Sequence, residues 1–311
     1  MPALIAKKGT DMPQTRIELT SDDERYPDAL KASDVMTNPT LYLVGDPEAL
    51  SGPKVAVIGT RRSTPYGITC AEMAGRLVAE LGLTLVTGAT LGCGAAAART
   101  ASDAGARLLV MTATSADMRY PESSKDVFES AKENRGAIVS LEGWNTPPIP
   151  ANFARKNEAM ARLADVVVVC EAAAMSGVTR IATTALDMRK PVLAFPGSVF
   201  SPNSAGTNAL IADGARIILG ESTLREELSK EFGIPTGRAR RVYRQVVRRE
   251  PDDMLEALRA QPMCVADIAR ALGRQMTDVL AELARREMDG QVVRLPSGEY
   301  SLSEERYRVF S

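Results

Sequence analysis

Apolar and polar residues alternate in blocks along the first two thirds of the chain, and the blocks predict alternating strands and helices. Short β-branched runs at residues 55–58 and 166–170 are typical of strands that are buried on both faces. Longer segments with helical spacing lie between such runs, including residues 67–81 and the alanine-rich residues 95–104. This alternation predicts an α/β fold, an extended Rossmann-like doubly wound sheet that is mainly parallel.

The pattern continues to about residue 232. Strands are predicted over residues 39–45, 55–58, 84–87, 107–112, 137–140, 166–170, 192–195 and 215–218. Helices are predicted over residues 67–81, 95–104, 124–134, 152–162, 176–189, 207–213 and 220–232. Residues 1–20 lack clear periodicity and predict a loose N-terminal arm.

The last part of the chain has a different pattern. Residues 236–250 hold six arginines and predict a basic linker. Residues 252–259, 265–272 and 275–288 predict three short helices, and residues 291–295 and 299–302 predict a hairpin. These elements together predict a winged helix. We therefore expect lead-in elements over residues 1–52, a core over 53–235, the linker, and a winged-helix domain over 251–311.

Composition narrows the possible chemistry. The 311 residues carry a formal net charge of −1, so affinity for nucleic acid must come from local patches. The chain has no histidine, which excludes Ser-His-Asp triads and His-ligated zinc. Its four cysteines form no C-x-x-C pair, and no apolar run reaches membrane-spanning length. We expect a cytoplasmic protein without a cofactor, a metal or a membrane partner.

Five loops follow predicted strands, and we expect them to share one cleft because ligands of such sheets bind at the carboxyl ends of the strands. Their glycine N–H groups, hydroxyls and cations suit phosphate and offer no nucleophile–base pair. The predicted binding residues are Gly59, Thr60, Arg61 and Arg62; Thr87, Gly88 and Gly92; Arg155, Lys156 and Asn157; Ser176, Gly177 and Arg180; and Gly197, Ser198 and Asn208. The alternative for the first loop is an ordinary strand-to-helix turn with two solvated arginines.

Several motifs carry a family resemblance. They are Tyr26-Pro27, Val57-Ile58-Gly59-Thr60-Arg61, Tyr66-Gly67, Tyr120-Pro121, Ser176-Gly177, and Pro196-Gly197 followed by Gly206-Thr207-Asn208-Ala209-Leu210-Ile211. In order and spacing the chain resembles the DNA-processing protein A family, also called DprA or Smf. The resemblance implies a protein that is not chiefly an enzyme, that binds single-stranded DNA, forms a homodimer and helps to load a RecA-type recombinase in DNA uptake and recombination.

The sequence departs from the family pattern inside the predicted cleft. Cys93-Gly94 stand where the family usually has Ile-Asp, and Glu158 stands where it usually has an arginine. An acid in place of an arginine replaces attraction for a phosphate by repulsion. Arg180, in the next loop, is expected to compensate.

Two other functions stay open from the residues. A nucleotide-sensing or nucleotide-processing protein on the same scaffold would use Glu171 or Glu142 as a carboxylate in the cleft. A duplex-binding regulator would use Arg270, Arg274, Gln275 and Thr277 near the start of the recognition helix. Capping or packing is the structural alternative for the two glutamates, and protein interaction is the alternative for the winged helix.

Overall fold

A nine-stranded sheet forms the centre of the computed structural model, which describes residues 16–31, 38–235 and 252–310. The strands are β1 (Arg16–Leu19), β2 (Leu41–Gly45), β3 (Lys54–Ile58), β4 (Thr84–Thr87), β5 (Leu108–Thr112), β6 (Ala137–Ser140), β7 (Val166–Val169), β8 (Val192–Ala194) and β9 (Arg216–Ile217). Their order across the sheet is β1-β2-β6-β5-β4-β3-β7-β8-β9. Only the pairs β1–β2 and β2–β6 are antiparallel, so the predicted doubly wound, mainly parallel sheet is confirmed.

The chain changes direction at the centre of this sheet. After β3 it adds β4, β5 and β6 on one side, and it then returns to place β7 on the other side of β3. The carboxyl ends of β3 and β7 therefore flank a topological switch point. In doubly wound sheets this is where the connecting loops diverge and leave a crevice for a ligand.

Helices cover both faces of the sheet. They are α1 (Pro65–Glu80), α2 (Cys93–Asp103), α3 (Lys125–Glu133), α4 (Pro150–Leu163), α5 (Gly177–Asp187), α6 (Ala205–Ala212) and α7 (Glu221–Glu231). Successive residues of a strand point to opposite faces of the sheet. In β3, Val55 and Val57 pack towards α1 and α2, whereas Ala56 and Ile58 pack towards α4 and α5. Every residue of β3, β4, β5, β6 and β7 is buried, which explains their continuous apolar runs.

The N-terminal prediction is wrong for residues 16–19. These residues form β1, which pairs antiparallel with β2 and buries Leu19 completely. Residues 16–19 alternate polar and apolar side chains over one short stretch only, which is weak evidence for a strand by itself, and pairing with β2 decides their conformation. Residues 1–15 of the predicted arm and the predicted basic linker lie outside the described residues.

We call residues 252–310 the C-terminal module. It contains α8 (Asp253–Ala260), α9 (Val265–Leu272), α10 (Met276–Met288), the strands β10 (Val292–Arg294) and β11 (Tyr300–Leu302), and α11 (Glu304–Phe310). The three helices and the hairpin occur where the sequence predicts them, whereas α11 was not predicted. A separate apolar cluster that includes Leu258, Ile268, Val279 and Leu283 holds the module together.

The C-terminal module contacts the α/β core through α11 and through the turn that follows α8. The Tyr307 ring of α11 meets the Tyr66 ring of α1 edge-on, with the ring centroids 6.0 Å apart. The Ser198 hydroxyl donates to Oε1 of Gln261 over 2.8 Å. Across the described ranges, no helix combines the length and apolarity needed to cross a membrane.

Candidate functional site

A cavity of about 650 Å³ opens at the carboxyl ends of β3 and β4, beside the switch point. We call it the cleft. Residues of α4 and α5 form the opposite wall of the cleft. Both helices pack on the same face of the sheet, beside the ends of these strands. Four of the five predicted loops contribute to its lining. The predicted residues that line the cleft are Gly59, Thr60, Arg61, Arg62, Thr87, Gly88, Lys156, Asn157, Ser176 and Gly177.

Lys156 is the most unusual side chain of the cleft. It lies on α4, is only 6% exposed, and makes no hydrogen bond or ion pair with the part of the chain that is described. Burial, and then the positive charge of Arg61, lower the pKa of Lys156 from 10.5 to about 8. A buried cation without a partner is costly, and a bound anion would offset that cost.

Gly88 allows the lysine to reach its position. A Cβ atom at residue 88 would lie 2.7 Å from Nζ of Lys156, closer than two such atoms can approach. A side chain at residue 88 would therefore displace the end of the Lys156 side chain, which arrives from α4, far away in the sequence. No local pattern reveals this contact.

The N-terminus of α1 is not available to a ligand. The Glu171 carboxylate accepts hydrogen bonds from the Thr64 backbone N–H at 2.9 Å and from the Thr64 hydroxyl at 2.7 Å. Glu171 is 2% exposed, and burial raises the pKa of its carboxyl although these bonds oppose the rise. This helix end is therefore balanced by Glu171, and positive charge in the cleft comes from side chains.

The two glutamates considered for catalysis lie outside the cleft lining. Glu171 caps α1, as just described, and Glu142 accepts a hydrogen bond from Nη1 of Arg155 over 2.9 Å. The structural alternative, capping and pairing, thus accounts for both carboxylates. Arg155 was predicted as a binding residue, but it pairs with Glu142 and does not line the cleft.

The fifth predicted loop lies elsewhere. The Asn208 side chain bonds both backbone groups of Gly197, accepting from its N–H over 3.1 Å and donating to its carbonyl over 3.0 Å. Ser198, as noted, contacts the C-terminal module. This loop follows β8, which is separated from β3 by β7, so the expectation that all five loops share one cleft is wrong for Gly197, Ser198 and Asn208.

Two further predicted residues border the cleft without lining it. Arg180 lies in an adjoining surface groove together with Thr183, Thr184 and Asp187. Gly92 has a φ of 78°, and a Cβ atom there would collide with the Thr60 carbonyl. Gly92 therefore allows the second loop to pack against the first.

The departures from the family pattern do not place an acid in the cleft. Cys93 is completely buried behind the first loop, with its sulfur 3.1 Å from the Ser63 hydroxyl. Gly94 lines the cleft and adds no charge to it. Glu158 accepts from Nη2 of Arg162 over 3.0 Å and does not line the cleft, so its charge is already balanced.

A pair of aromatic rings at the mouth of the cleft was not among the predicted binding residues. Tyr120 and Phe153 meet edge-on with centroids 6.4 Å apart, and both line the cavity. The Tyr120 residue is 43% exposed. Exposed rings beside cations are the combination on which single-stranded nucleic acids stack. The two rings are 33 positions apart in the chain, so only the fold brings them together.

Residues 18–229, which include the whole cleft, match the family model described as DNA recombination-mediator protein A. The chain belongs to this family. It is 27% identical over 286 residues to protein Smf of Escherichia coli, covering 90% of this chain and 76% of that protein. It is 30% identical over 206 residues to DNA processing protein DprA of Streptococcus pneumoniae, covering 66% of this chain and 72% of that protein.

Solved structures of the family share the fold. The X-ray structure of DprA from Streptococcus pneumoniae matches with a TM-score of 0.62 at 27% identity, covering 69% of this chain and 75% of that chain. DNA processing protein A from Helicobacter pylori, a structure described for its single-stranded DNA binding mode, matches with a TM-score of 0.61 at 30% identity. That match covers 69% of this chain and 97% of the other. The resemblance stated from the motifs is confirmed.

Proposed function

We propose that this protein binds single-stranded DNA in the cleft, with a phosphate held between Arg61 and Lys156. The observation that carries the proposal is the buried Lys156 ammonium, which lines the cavity and has no partner in the described chain. A phosphodiester supplies the missing negative charge. It also relieves the repulsion between the two cations, which contributes to the low pKa of Lys156.

The rings supply the second half of the interaction. A base unstacked from its neighbours can lie against Tyr120 or Phe153 while its phosphate reaches the cations. A base inside a duplex is already stacked and cannot do so without melting. The geometry therefore favours single strands over duplex DNA.

We further propose that binding involves no catalysis. Among the described residues that line the cleft, the titratable side chains are Arg61, Arg62, Tyr120 and Lys156. In the part of the chain that the structure describes, Lys156 makes no hydrogen bond or ion pair, and no carboxylate lines the cavity to act as a general acid or base. Membership of a recombination-mediator family supports a role in protecting single strands and passing them to a RecA-type recombinase. A homodimer, implied by the same resemblance, is part of the proposal.

The decisive experiment measures binding of a fluorescent oligothymidine and of a duplex by anisotropy over a range of salt concentrations. Lys156→Met and Arg61→Ala are each expected to weaken single-strand binding about tenfold, because each loses a charge-assisted contact. Each should also make the slope of log K against log salt less steep by about 0.7. Arg155→Ala is the matched control, since Arg155 pairs with Glu142 outside the cleft.

Two results would contradict the proposal. Equal affinity of the wild type and both cleft variants would remove the DNA from the cleft. Thermal stabilisation by a mononucleotide but not by an oligonucleotide would favour a nucleotide-sensing protein on the same scaffold.

A further inference from the structure

Helix α10 presents a face that the described part of the chain leaves uncovered. Val279 and Leu283 lie on its inner side and are fully buried in the C-terminal module. The opposite side carries Thr277, Ala281, Ala284 and Met288, all of them exposed. Met288 is 82% exposed and Leu280, at the margin of the same face, is 50% exposed. A third exposed apolar side chain of the helix, Met276 at 56%, lies outside this row of residues. An apolar face left open in this way is a candidate interaction surface.

The spacing of these residues is that of a helix–helix seam. Thr277, Ala281, Ala284 and Met288 follow one another at intervals of four, three and four residues. This is the repeat by which two helices pack along their length. The two alanines occupy the middle of the seam, where small side chains allow the backbones of two helices to approach closely.

The surroundings of the face do not suit DNA. Arg270 donates to Asp267 over 3.0 Å, and Arg274 donates to Glu282 over 2.6 Å. The cations predicted to meet DNA at the start of α10 are therefore balanced within the module. Of the four residues of the seam, only Thr277 has a polar side chain, so the seam itself offers little to a phosphate.

The face is complementary to itself. Asp278 and Arg285 lie on the same margin of the seam, and neither makes an ion pair within the described chain. Asp278 lies one residue beyond Thr277, at one end, and Arg285 lies one residue beyond Ala284. When two copies of α10 run antiparallel about a two-fold axis between Ala281 and Ala284, Asp278 of each copy faces Arg285 of the other.

The same axis matches the shapes. It places the alanines against each other and sets Thr277 of each copy against Met288 of the other, a small side chain against a large one. An isologous contact uses one patch twice, so each favourable pair occurs twice.

We propose that α10 is a homotypic docking surface, through which the C-terminal modules of two copies of this chain associate as an antiparallel helix pair. A single helix pair buries less than the roughly 800 Å² per partner that is usual for stable complexes. The contact is therefore weak, and it forms chiefly when copies are concentrated. This contact gives the proposed homodimer an interface and in that respect rests on the proposed function, whereas binding of DNA in the cleft of one chain does not require it.

Charge reversal in the full-length protein tests the pairing, with association measured by sedimentation equilibrium. Asp278→Arg alone and Arg285→Asp alone each place like charges opposite one another, and each should lower the association constant about three- to tenfold. The double variant Asp278→Arg/Arg285→Asp restores both cross-pairs and should recover the wild-type value. Asp253→Arg, at an exposed position on α8, is the control. Additive loss in the double variant would overturn the proposal.

Disulfide trapping provides a second test that does not depend on the energy of a surface ion pair. Ala281→Cys places a thiol beside the two-fold axis, so oxidation with diamide should produce a covalent dimer, two thiols losing two electrons to the diazene. Ala271→Cys, an exposed alanine on α9, is the matched control. Equal cross-linking of the two variants, with circular dichroism showing both folded, would overturn the proposal. Single-strand binding by the same variants reports separately on the cleft.

Discussion

Lys156 combines a stability cost with a binding role. The side chain is 6% exposed, and its pKa is lowered to about 8, so folding disfavours its protonated form. The penalty is fully present below pH 8 and fades as the pH rises from there towards the ordinary value of 10.5. Residues that bind anions in buried clefts often carry this cost, which ligand binding removes.

Replacement of this lysine should therefore separate stability from binding. Lys156→Met keeps the volume of the side chain and removes the charge, so the free energy of unfolding at pH 7 should rise by about 1–3 kcal/mol. The difference from the wild type should shrink between pH 8 and pH 10.5. Urea denaturation at pH 7 and pH 10 measures both effects.

The exposed Lys125 on α3 offers a matched control. Lys125→Met should leave the unfolding free energy within about 0.5 kcal/mol of the wild type at either pH. A loss of stability in Lys156→Met at pH 7 would show that its ammonium is already satisfied in the free protein.

The N-terminus of α1 is held by the carboxylate of Glu171, which follows β7. Its first turn begins with Thr64, whose hydroxyl accepts from the Gly67 N–H over 3.3 Å while its own N–H and O–H donate to Glu171. Gly67 has room for no side chain, because a Cβ atom would collide with the Glu171 carboxylate. The loop that carries Arg61 and the helix that follows are thus fixed to β7.

We expect removal of this cap to destabilise the protein. Glu171→Ala leaves the buried Thr64 N–H without a partner and should cost about 1–3 kcal/mol of unfolding free energy. Glu171→Gln keeps an acceptor for the N–H and gains an N–H of its own for the Thr64 oxygen, so it should remain close to the wild type. Thermal unfolding at neutral pH distinguishes the two variants. Equal losses in both would mean that the negative charge itself is required.

The α/β core and the C-terminal module meet on the side of the core that carries Tyr66 and Ser198. Every residue that lines the cleft falls between Val57 and Ile181, within the family match. Binding of single strands and contacts made by the module should therefore be separable.

A chain that ends at residue 235 tests this separation. It should bind the oligothymidine with an affinity within about threefold of the full chain, because no cleft residue is lost. The free energy of unfolding should fall modestly, since Tyr66 loses the Tyr307 ring that packs against it. Anisotropy and urea denaturation give the two values. A truncated chain that folds but no longer binds would move the DNA site onto the module.

Local patterns were enough to predict eight of the nine strands of the sheet, its helices, the three helices and the hairpin of the C-terminal module, and the four loops that reach the cleft. Runs such as Val55 to Ile58 are buried on both faces wherever they occur, and strand-to-helix turns must open at the carboxyl ends of parallel strands. The motifs around Gly59 and Gly206 were specific enough to identify the family, because several motifs in one order and spacing are far more specific than any single loop.

Contacts between distant residues decided the rest. Four contacts join segments that are not neighbours in the chain. They are the pairing of β1 with β2, the packing of Lys156 against Gly88, the hydrogen bonds from Thr64 to Glu171, and the ring contact between Tyr120 and Phe153. The pairing of Arg155 with Glu142 of the preceding loop is of the same kind, whereas Glu158 pairs with Arg162 one turn further along α4, a contact that helical spacing alone allows. Hydrophobic periodicity records which side of an element is buried, but it does not record what that side faces. For this reason the sequence specified the scaffold and the cationic loop at Arg61, whereas packing in three dimensions selected which of the predicted residues form the cleft.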